Sequence, residues 1–270
     1  MSGKVYGNPF VGMKYLALCL LFLTLSACVT YTKSAFNREA DAEKAEQTYV
    51  QLGLAYIRED HPFRAKEHLD RALEINPESA PATAAMGLVL QMQGEPELAE
   101  KKFQKATDFD PDYTRGRTFY GAFLYNQGRF EEAYRQFKRA SEDTDYGDRS
   151  QIFVNLARTA TALGRNDEAV TMFRRALETD PTNVTALRGI TSALVDQGDF
   201  RQARRYYQRL TALIRRVETI QHTPESIWAG IRIARYFDDA DQEASLALLL
   251  RNLYPQSEEL KQYKALTANE

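Results

Sequence analysis

The chain has 270 residues, and its 35 Lys and Arg against 37 Asp and Glu give a formal net charge of −2, which supplies no general electrostatic pull toward nucleic acid or an acidic polymer. Two cysteines permit at most one disulfide, and the three histidines, His61, His68 and His222, find no further His or Cys to complete a metal-ligand set. No phosphate-binding glycine loop and no nucleophile elbow is present, so neither catalysis nor a cofactor is expected.

The first element is a targeting segment. From Tyr15 to Cys28 the chain is almost wholly apolar, yet this is only 14 residues, and a membrane-crossing helix needs about 20. Lys14 supplies a positive flank, Tyr15 to Leu23 the greasy run, and Ser26 and Ala27 the small residues before a cut. "LSAC", residues 25–28, resembles the lipobox of bacterial lipoproteins. That resemblance implies removal of residues 1–27 and acylation of Cys28, a covalent lipid in place of any cofactor, with residues 28–36 as the tether. Three acyl chains at about 0.8 kcal/mol per buried methylene exceed what stable membrane attachment requires. Met13, directly before Lys14, offers an alternative translation start, and Cys19 would leave with the cleaved segment.

A helix is expected from near Asn37, running through the Ala- and Glu-rich "READAEKAEQ" into a repeat. Residues 49–77 align without a gap on residues 83–111, an offset of 34. Gly53, Tyr56, Ala65, Leu69, Ala72 and Pro77 recur as Gly87, Leu90, Ala99, Phe103, Ala106 and Pro111. A third copy has Gly121, Leu124, Ala133, Phe137 and Ala140, then two extra residues around "DTDYGD" where proline belongs. The fourth has Ala157, Ala160, Ala169, Phe173, Ala176 and Pro181; the fifth keeps Leu194, Ala203 and Tyr207; a sixth retains little beyond Trp228, Ala244 and Leu248. Small residues let paired helices approach, aromatics fill the space between pairs, glycine turns such as "QGEP" and "QGRF" separate helices, and proline stops the second helix of each pair.

This pattern resembles the tetratricopeptide repeat and implies an all-α fold, an α-solenoid superhelix of about six helix-turn-helix repeats over residues 37–258. The repeats are expected near 46–79, 80–113, 114–149, 150–183, 184–217 and 225–258, with residues 259–270 as a cap and tail. The family's groove positions fall on Val50, Leu54, Ile57, Ala84, Leu88, Gln91, Met92, Ala122, Tyr125 and Asn126, with Phe119 at their edge. They are mostly apolar, as suits docking of an apolar partner segment. Val50 and Leu54 stand where chaperone-binding members carry a Lys and Asn clamp, so that clamp is absent. Arg201, Arg205 and Arg209 lie at i, i+4 and i+8, a basic strip expected on the convex side, read either as a lipid or acidic-partner contact or as a solvated face.

A lipobox followed by about six such repeats resembles the PilF/PilW family, the pilotin lipoproteins of type IV pilus biogenesis. The resemblance implies a non-catalytic protein, lipid-anchored at the periplasmic face of the outer membrane, which binds the pilus secretin subunit and promotes its localisation and multimer assembly. It further implies the lipoprotein transport machinery as a partner, and Val29 after Cys28 in place of an inner-membrane retention Asp agrees with that route. A lipoprotein adaptor gathering peptidoglycan hydrolases or proteases at the envelope is the rival reading.

Overall fold

Glycine turns set the helix pairs. In the computed structural model, which describes residue 3 and residues 35–268 with side-chain surroundings from residue 39 on, Gly94, Gly128, Gly164 and Gly198 all have φ between 71° and 78°, a backbone region that side chains disfavour. Asp60 and Asp238, with φ 60° and 57°, take the same place in the first and sixth pairs. In all six turns the following amide donates to a carbonyl five residues back, at 2.8–2.9 Å: His61 to Tyr56, Glu95 to Leu90, Arg129 to Leu124, Arg165 to Ala160, Asp199 to Leu194 and Asp239 to Ala234. Each turn thereby satisfies carbonyls that a helix end would leave without a partner.

The pairs are α1 (Ala35–Arg58) with α2 (Pro62–Ile75), α3 (Ala80–Met92) with α4 (Pro96–Phe109), and α5 (Thr114–Asn126) with α6 (Phe130–Ala140). They continue with α7 (Arg149–Ala162) and α8 (Asn166–Thr179), α9 (Val184–Asp196) and α10 (Phe200–Arg216), and α11 (Pro224–Tyr236) and α12 (Ala240–Leu253). A single helix, α13 (Glu258–Thr267), follows. No strand occurs among the described residues, and the fold is an all-α tetratricopeptide-repeat solenoid. Residues 45–270 make one compact unit; in the other, residues 35–44 form the helical start of α1.

Between pairs, the residue before proline does work that the repeat pattern alone does not reveal. Asn76, Asp110 and Asp180 each accept, through Oδ1, the amide two residues on, at 3.1, 2.9 and 2.9 Å. The third pair lacks the proline but keeps this bond, from the Asp145 amide to Asp143 Oδ1 at 3.0 Å, while the other Asp143 oxygen accepts from the Thr114 hydroxyl at 2.6 Å. The fifth pair lacks both, and α10 runs on to Arg216, 17 residues in all.

The core follows from size. Ala65, Ala99, Ala133, Ala169 and Ala203, one in each second helix of the first five pairs, are fully buried where the paired helices cross. One turn later stand Leu69, Phe103, Phe137, Phe173 and Tyr207. In the first three pairs this large side chain rests on a glycine of its own first helix: a methyl at Gly53, Gly87 or Gly121 would lie 2.6–2.8 Å from Leu69, Phe103 or Phe137. In the fourth and fifth pairs the glycine has moved to the next first helix, where Gly189 receives Phe173 and Gly230 receives Tyr207. The buried side chains gather in three clusters, one around Val50 to Val89, one running from Ala99 to Ile233, and a small one of Ile227, Ile231, Ala247, Leu250 and Leu260 that seats α13. From α2 to α13 every helix touches only its first and second neighbours along the chain.

Candidate partner-binding face

Apart from α13, which rests on α11, the second neighbours in contact are first helices. α3, α5, α7, α9 and α11 lie side by side, so residues on their outward side share one face. Which residues remain open there depends on how far each helix covers the one before it.

Three of the groove residues expected from sequence are covered. Val50 and Leu54 are 6% and 9% exposed and pack in a core with Ala82, Ala85, Met86 and Val89 of α3, while Ala84 is fully buried. They belong to the contact between successive pairs and cannot meet a partner; spacing places them on the correct side of the helix, but the next helix lies over them. Ile57, Leu88, Phe119, Ala122 and Tyr125 are half-buried, and Met92 is 36% exposed. Leu88 and Phe119 pack against both the first and the second core cluster, so their open sides mark the seam between them.

Farther along, the face deepens into two clefts. The first, about 70 Å³, is lined by Ala122, Tyr125, Asn126, Phe137, Asn155 and Arg158. The second, about 250 Å³, is floored by Phe173, Gly189 and Ala193 and rimmed by Thr161, Asn166, Ser192 and Asp196. Tyr125 and Arg158 border both. The Arg158 guanidinium carbon lies 5.2 Å from the centroid of the Tyr125 ring, which is itself edge-on to Phe130 at 5.2 Å. Arg158 and Asn155 were not among the expected groove residues. The signal for them was available: Tyr125 and Arg158 lie 33 residues apart, close to one repeat, on adjacent first helices.

Arg201, Arg205 and Arg209 are exposed along α10, a helix with six arginines and no acidic residue. Arg209 Nη2 donates to the Pro181 carbonyl at 2.9 Å and so ties α10 to the preceding turn. Elsewhere on the second helices the basic residues are largely engaged: Arg139 pairs with Asp112 at 2.9 Å and with Glu142, and Arg175 lies 4.8 Å over the Phe153 ring. Glu131 and Glu132 are taken by Arg165 and Arg129, both at 2.7 Å. Among the described residues no group of His, Cys, Asp and Glu could hold a metal ion. Burial, together with a hydrogen bond to Glu168, pushes the Tyr134 hydroxyl up to about 12, and burial with the nearby Arg188 charge pulls His222 below the ordinary histidine range; neither residue lines the clefts. Cys28 lies outside the described residues.

Sequence models of the tetratricopeptide repeat match residues 50–114, 115–182 and 148–216. Type IV pilus assembly protein PilF of Pseudomonas aeruginosa is 34% identical over 247 residues, 91% of this chain and 96% of that protein. The solved structure of Pseudomonas aeruginosa PilF superposes with a TM-score of 0.76, covering 83% of this chain and 99% of that one at 34% identity. The structure of PilW, described as a widely conserved type IV pilus biogenesis factor, gives 0.66 at 22% identity over 81% of this chain and 97% of that one, a likeness of fold. Matched over 91% of its length by one relative and built of tetratricopeptide repeats, this chain belongs to the PilF/PilW family of tetratricopeptide-repeat proteins.

Proposed function

We propose that this protein is a non-catalytic assembly factor of the type IV pilus, a pilotin: a lipoprotein held at the outer membrane by acyl chains on Cys28 that binds the secretin subunit and promotes its multimerisation there. The observation that carries the reading is the match to a type IV pilus assembly protein over 96% of that protein's length. The open apolar strip of Ile57, Leu88, Met92, Phe119, Ala122 and Tyr125 supports a protein partner, because such a strip on a rigid stack loses water when a partner's apolar segment covers it. On this reading the lipoprotein transport machinery carries the pair to the outer membrane, and one anchor serves two proteins.

The test is secretin assembly in a deletion strain complemented with wild type, Met92→Glu or Cys28→Ala, scored by heat-resistant multimers and their membrane fraction. Wild type restores outer-membrane multimers, Met92→Glu lowers their yield at normal protein level, and Cys28→Ala leaves them mislocalised. Multimers unchanged in the deletion strain itself would overturn the reading and favour an adaptor for cell-wall enzymes.

A further inference from the structure

The two clefts meet at a cation, Arg158, that no described residue pairs with. Arg129 pairs with Glu100 and Glu132 at 2.6 and 2.7 Å, Arg165 with Glu131 at 2.7 Å, Arg232 with Asp196 at 2.6 Å and Arg235 with Glu243 at 2.8 Å. Arg158 makes neither a hydrogen bond nor an ion pair with any described residue; its one specific contact is the Tyr125 ring, 5.2 Å from the guanidinium carbon. The carboxylate lining the second cleft, Asp196, is engaged by Arg232. A guanidinium lying over a ring face keeps N–H donors free, in the fork that matches two carboxylate oxygens. The ring contact also narrows the side chain's freedom, so less rotamer entropy is lost when a ligand arrives.

The clefts lie to either side of this cation, one against Ala122 and Asn155, the other floored by Phe173, whose ring is itself seated on Gly189, and by Ala193. A segment seated here therefore runs on past Arg158 in both directions, which calls for a carboxylate in mid-segment and not at a chain end. We infer that the trough across α5, α7 and α9 is a peptide-docking site whose occupant is an internal protein segment with an Asp or Glu side chain, gripped by Arg158, next to a bulky apolar side chain that fills the Phe173 cleft. The inference rests on the docking role proposed above and adds the chemistry of the partner segment.

The experiment is display selection on the purified full-length chain in detergent, with random 12-residue segments flanked on both sides so that no free carboxyl terminus is offered. Enriched segments should share an acidic residue beside an apolar one. In a blocked synthetic peptide of that consensus, Glu→Gln should weaken binding about tenfold, Arg158→Gln in the protein should do the same, and the two together should cost little more than either. Arg158→Gln alters an exposed side chain, and an unchanged thermal midpoint confirms that it folds. No enrichment, enrichment without an acidic residue, binding only by free carboxyl termini, or additive losses would each overturn the inference. None of these outcomes bears on secretin assembly in the deletion strain, so the two proposals fail separately.

Discussion

Replacing Gly87 with Ala sets two effects of known size against each other. In an exposed helix interior, Gly→Ala stabilises by about 1 kcal/mol, because alanine surrenders less backbone entropy. At Gly87 the new methyl would stand 2.7, 2.9 and 2.9 Å from Cε1, Cδ1 and Cζ of Phe103, against about 3.5–4.0 Å for carbon atoms in favourable contact. The ring has no room to retreat: Phe103 is fully buried, with Tyr120 and Phe123 centred 5.9 and 5.3 Å away. Overpacking of this kind costs about 1–3 kcal/mol, and the rigid neighbours put this case at the upper end. Gly87→Ala should therefore destabilise by about 1–2 kcal/mol net, read as a lower urea midpoint by circular dichroism. Phe103→Val deletes every ring atom that the methyl strikes; alone it costs about 2–4 kcal/mol, but the double variant should cost at least about 1 kcal/mol less than the sum. A single variant as stable as wild type, or strict additivity of the pair, would refute the close-packing account of the glycine. Gly94→Ala is the control: nothing lies within 4 Å, and its φ of 78° alone should cost about 1–2 kcal/mol.

Ser79 caps α3 by accepting the Ala82 amide at 3.0 Å and donates to the largely buried Glu46 carboxylate, so Ser79→Ala should cost about 1–3 kcal/mol in the same urea titration. Burial first, and then the Arg188 charge, hold His222 below 6.5 in the folded chain, so its contribution to stability is complete above about pH 6.5 and is lost as pH falls toward the lowered value; His222→Gln should flatten that acid-side slope in thermal midpoints measured from pH 7 to pH 5. The Tyr207 hydroxyl is buried with no hydrogen-bond partner among the described residues, and Tyr207→Phe should leave the thermal midpoint unchanged or raise it; a loss of more than about 1 kcal/mol would show that the hydroxyl is satisfied.

The helix pairs were legible from sequence because their determinants are steric and local: a residue with positive φ at each turn, alanine where helices cross, a stop after the second helix. The open face was less so. A rule that assigns the same positions to every repeat cannot tell that α3 covers Val50 and Leu54, since coverage is set by the angle and distance of the next helix and not by the residue's own helix. Nor does it separate Gly87, which serves Phe103 in its own pair, from Gly189, which serves Phe173 in the pair before. Arg158 lies beyond an apolar strip confined to the first three repeats, because the Tyr125 ring beneath it belongs to the third repeat and the guanidinium to the fourth. Cross-repeat pairs of this kind become visible when residues one period apart are compared for chemical fit as well as for likeness.

From α2 to α13, contacts that stop at the second neighbour make each stretch of the stack indifferent to what has not yet been made. A growing or emerging polypeptide needs only about two successive helix pairs in hand to close a stretch of core, so folding can keep pace with lengthwise delivery through a pore, the leading end finished while the trailing end is still threaded. Taken in reverse, traction on the far end should peel pairs away singly, beginning with α13 and the small Ile227–Leu260 cluster, and leave the rest of the stack standing.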